Sequence, residues 1–293
     1  MTRKIKSYLR VQYQKLFPKH RASKLYRLYF HRPLNWNHPT DLNEKIRWIQ
    51  FNTDTRKWSL LADKLRVRDY LKRNGYEKNL VKLYGYWEKA EDIDFSRLPE
   101  KFVLKTNHGY GNVYVIKDKN KENLEVIRGQ LGKAIKQPFG YFTAEPHYTK
   151  IKPYILAEEL LEQDGGISSS LIDYKFYCID GVPQYCLVVY NREYNSLNHH
   201  VKLYDMMWQD CSHLLKKYIP RSDLQFPKPK TLTEMIAFCN AMCSDFPFVR
   251  MDFYEVSGKM YFGEFTFTPA ACTGGSLGEE LCLQLGKLIK LPH

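Results

Sequence analysis

Two segments in the second half of the chain constrain its fold most strongly, because each has alternating strand-like positions around a tight-turn signal. The first is "LIDYKFYCIDGVPQYCLVVYNRE", with Asp180-Gly181 at its centre, and the second is "FVRMDFYEVSGKMYFGEFTFTPA", with Ser257-Gly258. Alternation places successive side chains on opposite faces of a strand, and an Asp-Gly dipeptide favours a two-residue turn. The sequence therefore predicts two long antiparallel hairpins.

Helical patterns dominate the first 75 residues. Residues 1–30 have roughly helical apolar spacing, and "TDLNEKIRWIQFN" opens with the N-cap candidates Thr40 and Asp41 and with Glu44 placed for a capping box. The segment "SLLADKLRVRDYLKRNGY" repeats the helical pattern up to Gly75, which suits a helix C-cap. We therefore expect a mainly helical N-terminal region over residues 1–78.

Strands and helices are mixed in the remaining chain. Strand patterns occur in "FVLKTN", "NVYVIKD", "PYILAEELL" and "HVKLYDMMW", and helical patterns in "NLEVIRGQLGKAIKQ", "TLTEMIAFCNAMC" and "LGEELCLQLGKLIK". This order favours an α+β fold over a doubly wound parallel sheet, and neither GxGxxG nor GxxxxGK[ST] occurs. We expect two further segments, over residues 79–163 and 164–293.

The composition of the chain is that of a globular protein without a membrane span. Of its 293 residues 44% are hydrophobic, and no stretch approaches 18 uncharged apolar residues. The N-terminus lacks the apolar core of a signal peptide, and seven scattered cysteines without a CxxC motif favour reduced thiols. These features predict a cytoplasmic protein.

Positive charge is concentrated at the N-terminus. Residues 1–30 contain nine Lys or Arg and no Asp or Glu, whereas the remaining chain has 36 basic and 32 acidic residues, a net charge of only +4. Such a basic segment with interleaved apolar residues suits an anionic membrane surface, so we expect a protein that is peripheral at the inner face of the membrane. A solvated basic helix packed on the body is the alternative left open. No nucleic-acid recognition module follows, which disfavours a nucleic-acid partner.

The last predicted hairpin gathers charged and hydroxyl side chains on one face. Period-two alternation places Arg250 with Asp252, and Glu264 with Thr266, and a turn at Ser257-Gly258 brings Asp252 and Glu264 together. Two carboxylates at close range are costly unless a cation lies between them, and Mg²⁺ prefers carboxylate and phosphate oxygens. The alternative is a surface hairpin whose carboxylates face solvent.

A lysine followed by a glycine-containing loop marks another candidate site. In "FVLKTNHGYGNVYVIKD", Lys105 ends an apolar strand and Gly109 and Gly111 lie in the polar loop after it. Either an ordinary hairpin or a flap over phosphate groups fits this pattern on its own.

Together these stretches resemble the ATP-grasp superfamily. "RMDFY" and "YFGEFTFTPAACTGG" resemble its metal-binding strands, the Lys105 stretch its phosphate flap, and "YILAEELL" the strand joining its lobes, over about residues 80–280. More narrowly, "DLNEKIRWIQ", "LADKLRVRDYL", "LPEKFVLKTNHGYGN" and "DYKFYCIDGVPQ" resemble the TupA-like ATP-grasp branch of bacterial surface-polysaccharide gene clusters. The resemblance implies an ATP-grasp fold, in which two α+β lobes clasp ATP, preceded by the helical region.

The resemblance also implies roles for residues near the nucleotide. Lys105 would contact the α- and β-phosphates, and Gly109 and Gly111 would form the flap. Glu158 or Glu159 would reach the adenine or ribose, and the sequence does not decide which of the two does so. The flap backbone and the strand end would complete the nucleotide site through Asn107, His108, Tyr110 and Leu160.

At the metal end, the resemblance implies that Asp252 and Glu264 hold Mg²⁺ and that Arg250 meets the γ-phosphate or an acceptor oxyanion. Thr266 stands where the superfamily usually has Asn, and its hydroxyl can still serve as a metal ligand, so the resemblance leaves the number of metal ions open. Lys175 and Arg192 would supply further cations.

The implied activity is an ATP- and Mg²⁺-dependent carboxylate–amine ligase of capsular or cell-surface polysaccharide biosynthesis. Its acceptor would be an acidic glycan or uronic acid, and its donor an amino acid or amine. A glycan phosphotransferase and a glycosyltransferase are the alternatives. For the glycosyltransferase, the sequence offers only the motif "DID" at Asp92–Asp94, in a polar link.

Overall fold

The computed structural model describes residues 3–163, 166–193, 199–219 and 223–292. In these ranges the helices are α1 (Arg3–Leu16), α2 (Pro18–Phe30), α3 (Leu42–Asn52), α4 (Arg56–Leu61), α5 (Val67–Arg73), α6 (Leu124–Ala134), α7 (Leu232–Met242) and α8 (Glu279–Leu288). The strands are β1 (Leu83–Trp87), β2 (Phe102–Thr106), β3 (Val113–Ile116), β4 (Ile155–Glu158), β5 (Asp173–Ile179), β6 (Val182–Tyr190), β7 (His200–Asp205), β8 (Phe248–Val256) and β9 (Lys259–Thr266). The helices-first, mixed-later order predicted from the sequence is confirmed.

The chain forms two compact units. Unit 1 contains Met1–Leu16 and Arg56–Leu161, and unit 2 contains Phe17–Thr55 and Glu162–His293. The division at residues 78 and 163 expected from the sequence stays a prediction. No helix in the described ranges combines the length and the apolar character needed to cross a membrane.

Unit 1 is built on a four-stranded antiparallel sheet in the order β1-β4-β2-β3. Along β2, Phe102, Leu104 and Thr106 are buried, whereas Val103 and Lys105 point to the other face and are half-buried. Phe102 and Leu104 pack into a core with α6, and burying each such side chain contributes about 1.5–3 kcal/mol. The pleat of this strand therefore fixes the face on which Lys105 lies.

Unit 2 is built on a five-stranded antiparallel sheet in the order β7-β6-β5-β8-β9. Asp180 and Gly181 have φ of 44° and 81°, and Ser257 and Gly258 have φ of 51° and 71°. Positive φ at both central residues is the signature of the turn type that matches strand twist in a two-residue hairpin. Both predicted hairpins, β5–β6 and β8–β9, are confirmed.

Helix α3 begins at the predicted N-cap, Asp41, with a variant of the capping box in which Glu44 binds the residue before the N-cap. The Asp41 carboxylate accepts hydrogen bonds from the backbone N–H groups of Asn43 and Glu44, and the Glu44 carboxylate accepts one in return from the Thr40 N–H. Helix α8 packs closely on this N-terminus, because a Cβ at Gly286 would lie 2.2 Å from the Thr40 oxygen. Only glycine allows that approach.

The helix predicted up to Gly75 is interrupted, so that prediction was wrong in its middle. Helix α4 ends at Leu61 and α5 begins at Val67. Between them the Asp63 carboxylate accepts the backbone N–H groups of Leu65 and Arg66, which gives the backbone a local alternative to helical hydrogen bonds. The predicted end at Gly75 is confirmed, with φ of 83°.

Candidate active site

Lys105 of unit 1 is held by an acidic partner on the neighbouring strand. Its Nζ lies 2.5 Å from Oε2 of Glu158, the last residue of β4. Arg68, from α5, approaches the other carboxylate oxygen at 3.4 Å and donates to the Val81 carbonyl at 2.6 Å. Burial lowers the pKa of Arg68, and the Glu158 carboxylate opposes that effect. Two cations therefore meet one buried carboxylate at the end of β4.

The loop after β2 is fastened to unit 1 through Asn107, which is fully buried. Its Nδ2 donates to Asp63 Oδ1 at 2.8 Å and to the Lys152 carbonyl at 2.9 Å, while its Oδ1 accepts from the Tyr154 N–H at 2.7 Å. The Asn107 N–H itself donates to the Tyr154 carbonyl. In this conformation Asn107 anchors the predicted flap and its N–H is occupied.

The predicted flap itself needs glycine at Gly109. Gly109 has φ of 71°, and a Cβ there would lie 2.7 Å from the Phe139 ring. Its carbonyl accepts a hydrogen bond from Lys64 Nζ at 3.1 Å. Gly111 has φ of 85° and open space around it. The loop backbone is thus shaped by two left-handed residues that other side chains would strain.

The two side chains that flank Gly109 differ in exposure. His108 is 6% exposed and meets the Phe139 ring edge-on, whereas Tyr110 is 73% exposed. Burial, and secondarily the Lys64 ammonium, lower the pKa of His108 to about 4. His108 is therefore neutral at physiological pH.

The end of β4 bears on the open choice between Glu158 and Glu159. Glu158 is engaged by Lys105, whereas the Glu159 carboxylate makes no hydrogen bond or ion pair with the described part of the chain. The Glu159 N–H donates to the Lys82 carbonyl, and Glu159 and Leu160 are both half-buried. Glu158 is therefore engaged within unit 1, and which of the two carboxylates contacts the nucleoside stays a prediction.

In unit 2 the hairpin brings the predicted metal residues together. Asp252 of β8 is the direct cross-strand partner of Glu264 of β9, and Arg250 is that of Thr266. The Arg250 guanidinium binds Asp252 through both carboxylate oxygens at 2.7 Å and reaches Glu264 Oε1 at 3.4 Å and Thr266 Oγ1 at 3.1 Å. Burial would lower the pKa of Arg250, but the Asp252 carboxylate raises it well above its usual value.

Lys175 of β5 extends this cluster. It pairs in register with Asp252, and its Nζ lies 2.5 Å from Asp252 Oδ2 and 3.5 Å from Asp173 Oδ1. Arg192, just past β6, reaches Asp173 Oδ2 at 2.6 Å, and that carboxylate raises the pKa of Arg192. The structure thus joins the three predicted cations in one chain of ion pairs.

Asp252 and Glu264 provide a donor set that suits Mg²⁺. Two carboxylates face each other across the strands, and the Thr266 hydroxyl donates to Glu264 Oε1 at 3.2 Å. Mg²⁺ is commonly held by one or two carboxylates, with phosphate and water completing its coordination. No group of three or more His, Cys, Asp or Glu in the described ranges is arranged to hold a metal. A cation here would therefore depend on the two carboxylates and its other ligands.

Three residues of these clusters were missed by the sequence reasoning. Asp173 could have been found, because it lies two positions before Lys175 and shares its face. Tyr254 likewise shares the face of Asp252, and burial, together with the nearby Asp173 and other carboxylates, raises its pKa well above the usual value. Arg68 gave no local signal, since its partner Glu158 is 90 residues away.

A lysine strand with a glycine loop in one unit and a carboxylate hairpin in the other define an ATP-grasp type of protein. A model of the TupA-like ATP-grasp family matches residues 44–290, so the chain belongs to that family. The expected ATP-grasp fold is confirmed.

The solved structures to which the chain is similar include several ligases. The D-alanine–D-alanine ligase of Bacillus anthracis in complex with ATP is 14% identical, with 86% of this chain and 68% of that one covered and a TM-score of 0.47. The ATP-grasp ligase PsnB with its minimal precursor, Mg and ADP is 13% identical, with 85% and 66% covered and a TM-score of 0.40. The VanG D-Ala:D-Ser ligase of Enterococcus faecalis is 12% identical, with 80% and 62% covered and a TM-score of 0.46. No curated protein matches the sequence significantly.

Proposed function

We propose that this chain is an ATP- and Mg²⁺-dependent carboxylate–amine ligase of cell-surface polysaccharide biosynthesis. It would join an amino acid or amine to an acidic glycan or uronic acid, as a cytoplasmic protein peripheral at the inner face of the membrane. The observation that carries the ligase assignment is the matched register of Lys175, Asp252 and Glu264 on three adjacent strands of unit 2, with Arg250 beside them.

In unit 1, the phosphates of the nucleotide would bind Lys105, which is now paired with Glu158. Lys105 is 19% exposed at its side chain and is a compact point charge, suited to the α- and β-phosphates. Releasing Lys105 to phosphate would leave Glu158 with Arg68, so the buried carboxylate would keep a cation. Gly109 and Gly111 would let backbone amides approach the phosphates closely.

In unit 2, Asp252 and Glu264 would hold Mg²⁺, which supplies positive charge against the phosphate oxygens when bound. Thr266 would contribute at most a hydroxyl ligand. Arg250 and Lys175, now paired with Asp252, would turn toward a phosphoryl group or an acceptor carboxylate.

The proposed reaction has two displacements. A carboxylate oxygen of the acceptor attacks the γ-phosphorus of ATP, the bond to the β-phosphate oxygen breaks, and ADP leaves. The amine nitrogen then attacks the acyl carbon, inorganic phosphate departs, and the amine loses a proton. Positioned cations stabilise the charge that develops on the transferring group, and this is the role proposed for Arg250, Lys175 and Arg192.

A glycan phosphotransferase would use the same residues, because it differs only in the final position of the phosphoryl group. The glycosyltransferase alternative is less well supported. Asp94 of the "DID" motif uses its carboxylate locally, accepting the N–H and the hydroxyl of Ser96.

The test incubates the protein with Mg²⁺, with ATP labelled at the γ-phosphate, and with panels of uronic acids and amines, and it follows where the label ends. A ligase releases ADP and phosphate in equal amounts only when both acceptor and amine are present, and hydroxylamine traps the acyl phosphate when the amine is omitted. Stable label on a sugar hydroxyl without release of phosphate would contradict the ligase proposal and support the phosphotransferase.

A further inference from the structure

Helix α2 is fixed to unit 2 along its inner face. Ala22, Leu25 and Tyr26 are buried, and the Tyr26 hydroxyl donates to Asp41 Oδ2 at 2.6 Å. In the middle of the helix, Trp36 Nε1 donates to Ser23 Oγ at 2.9 Å. These contacts determine the orientation of α2 and therefore which of its residues face outward.

The opposite side of α2 carries apolar and basic residues together. Lys24 and Leu28 are four residues apart and therefore lie on one helical face, and Phe17 is the N-cap residue seven positions before Lys24. Phe17 is 51% exposed, Leu28 is 65% exposed, and Lys24 is exposed. Arg27, also exposed, lies at the edge of this face. We call Phe17, Lys24, Arg27 and Leu28 the outer face of α2.

The segment that carries this face has charges of one sign only. No Asp or Glu occurs in residues 1–30, which hold nine of the 45 basic residues of the chain. A large exposed leucine and phenylalanine among cations match the composition of interfacial helices, which sink apolar side chains into the headgroup boundary and keep cations among anionic headgroups.

From this arrangement we propose that the outer face of α2 docks on an anionic lipid surface. Phe17 and Leu28 enter the headgroup region, and Lys24 and Arg27 contact lipid phosphates. A lipid surface fits better than nucleic acid, because the two large apolar side chains of this face, Phe17 and Leu28, would gain little on a phosphate backbone. Docking would attach unit 2, the unit that carries the carboxylate hairpin, directly to the membrane.

This inference is independent of the reaction class, since α2 contributes no residue to the proposed chemistry. The inference rests on the proposed function only for the peripheral membrane location, to which it assigns a surface. Failure of the ligase assay would leave docking intact, and failure of docking would remove the membrane location while leaving the reaction class intact.

The test measures co-sedimentation of the full-length protein with vesicles of equal parts phosphatidylglycerol and phosphatidylcholine, and with pure phosphatidylcholine. We expect binding to the anionic vesicles only, falling as salt rises. Lys24→Glu combined with Arg27→Glu should lower the partition coefficient at least tenfold, and Leu28→Ser severalfold.

Helix α8 of the same unit offers a matched control, because Lys287 is exposed and Leu288 is 47% exposed. Lys287→Glu combined with Leu288→Ser should leave vesicle binding unchanged. Circular dichroism melting would verify the fold of each variant. The proposal is overturned if wild-type protein does not bind, if it binds neutral vesicles equally well, if the α8 variant loses as much binding as the α2 variants, or if it binds single-stranded RNA but not vesicles.

Discussion

Replacing Asn107 with alanine should release the loop after β2 from the body of unit 1. The side chain makes one hydrogen bond to a buried carboxylate, that of Asp63, and two to backbone groups, those of Lys152 and Tyr154. A net contribution of about 2 kcal/mol for the charged bond and about 1 kcal/mol for each neutral one gives a total of about 4 kcal/mol.

Two features reduce that figure. Asp63 keeps its hydrogen bonds from the N–H groups of Leu65 and Arg66, and Lys152 is exposed, so water can replace part of what is lost at its carbonyl. We therefore expect Asn107→Ala to lower the free energy of opening this region by about 3 kcal/mol, which is roughly a hundredfold faster amide exchange.

Hydrogen exchange read by peptide is the suitable assay, because a chain with two compact units need not unfold in one step. Exchange should accelerate around Thr106 and Tyr154 and remain unchanged in unit 2. Asn112→Ala is the matched control, since it truncates the same residue type in the same loop and its side chain makes no hydrogen bond with the described residues. If Asn107→Ala and Asn112→Ala accelerate exchange equally, the anchoring role of Asn107 is wrong.

Three further outcomes follow from the two clusters. Lys105→Ala should weaken Mg·ATP binding about tenfold in calorimetric titration, whereas Lys117→Ala, an exposed lysine just past β3, should not change it. Asp252→Asn and Glu264→Gln should each abolish turnover while the melting temperature shows a folded protein; near-full activity of either variant would make the pair structural. Burial lowers the pKa of His108 to about 4, below its unfolded value of about 6.5, so the neutral ring stabilises the fold fully above about pH 6.5 and this contribution is lost as the pH falls through 4. His108→Gln should therefore flatten the dependence of the denaturation midpoint on pH over that range, and an unchanged profile would argue against a buried neutral histidine.

Features encoded by neighbouring residues could be predicted from the sequence. The turn at Asp180-Gly181 depends on two adjacent residues, and the capping box depends on Asp41 and Glu44, three positions apart. The turn at Ser257-Gly258 brings Glu264 near Asp252, but regular pairing from that turn would place Gly263 opposite Asp252. The bulge next to Asp252 shifts the register by one residue and sets Glu264 opposite it, and the sequence did not indicate that bulge.

Features that depend on distant residues could not be predicted. Nothing near Lys105 in the sequence indicates that Glu158 would bind it or that Arg68 would share that carboxylate. The break between α4 and α5 also depends on a distant residue. The Asp63 carboxylate accepts hydrogen bonds from the backbone of its own turn and from the side chain of Asn107, 44 residues away. The apolar periodicity of residues 59–75 describes the helix that this segment could form by itself, whereas the hydrogen bond from Asn107 to Asp63 favours the turn between α4 and α5.

The charge balance of unit 2 bears on how its ligands bind. The face of its sheet joins three cations to three carboxylates, which are Lys175, Arg192, Arg250, Asp173, Asp252 and Glu264. A divalent cation arriving alone would compete with Arg250 and Lys175 for Asp252, and in this partly buried place Lys175 would keep only the Asp173 carboxylate, 3.5 Å away and shared with Arg192. A phosphate group arriving alone would meet the carboxylates. When cation and phosphate arrive together, the cation takes the carboxylates and the phosphate takes the displaced Arg250 and Lys175, so every charge keeps a partner. The ion pairs of this face therefore favour a metal–nucleotide complex over either component, which is the selectivity that the proposed ligase requires.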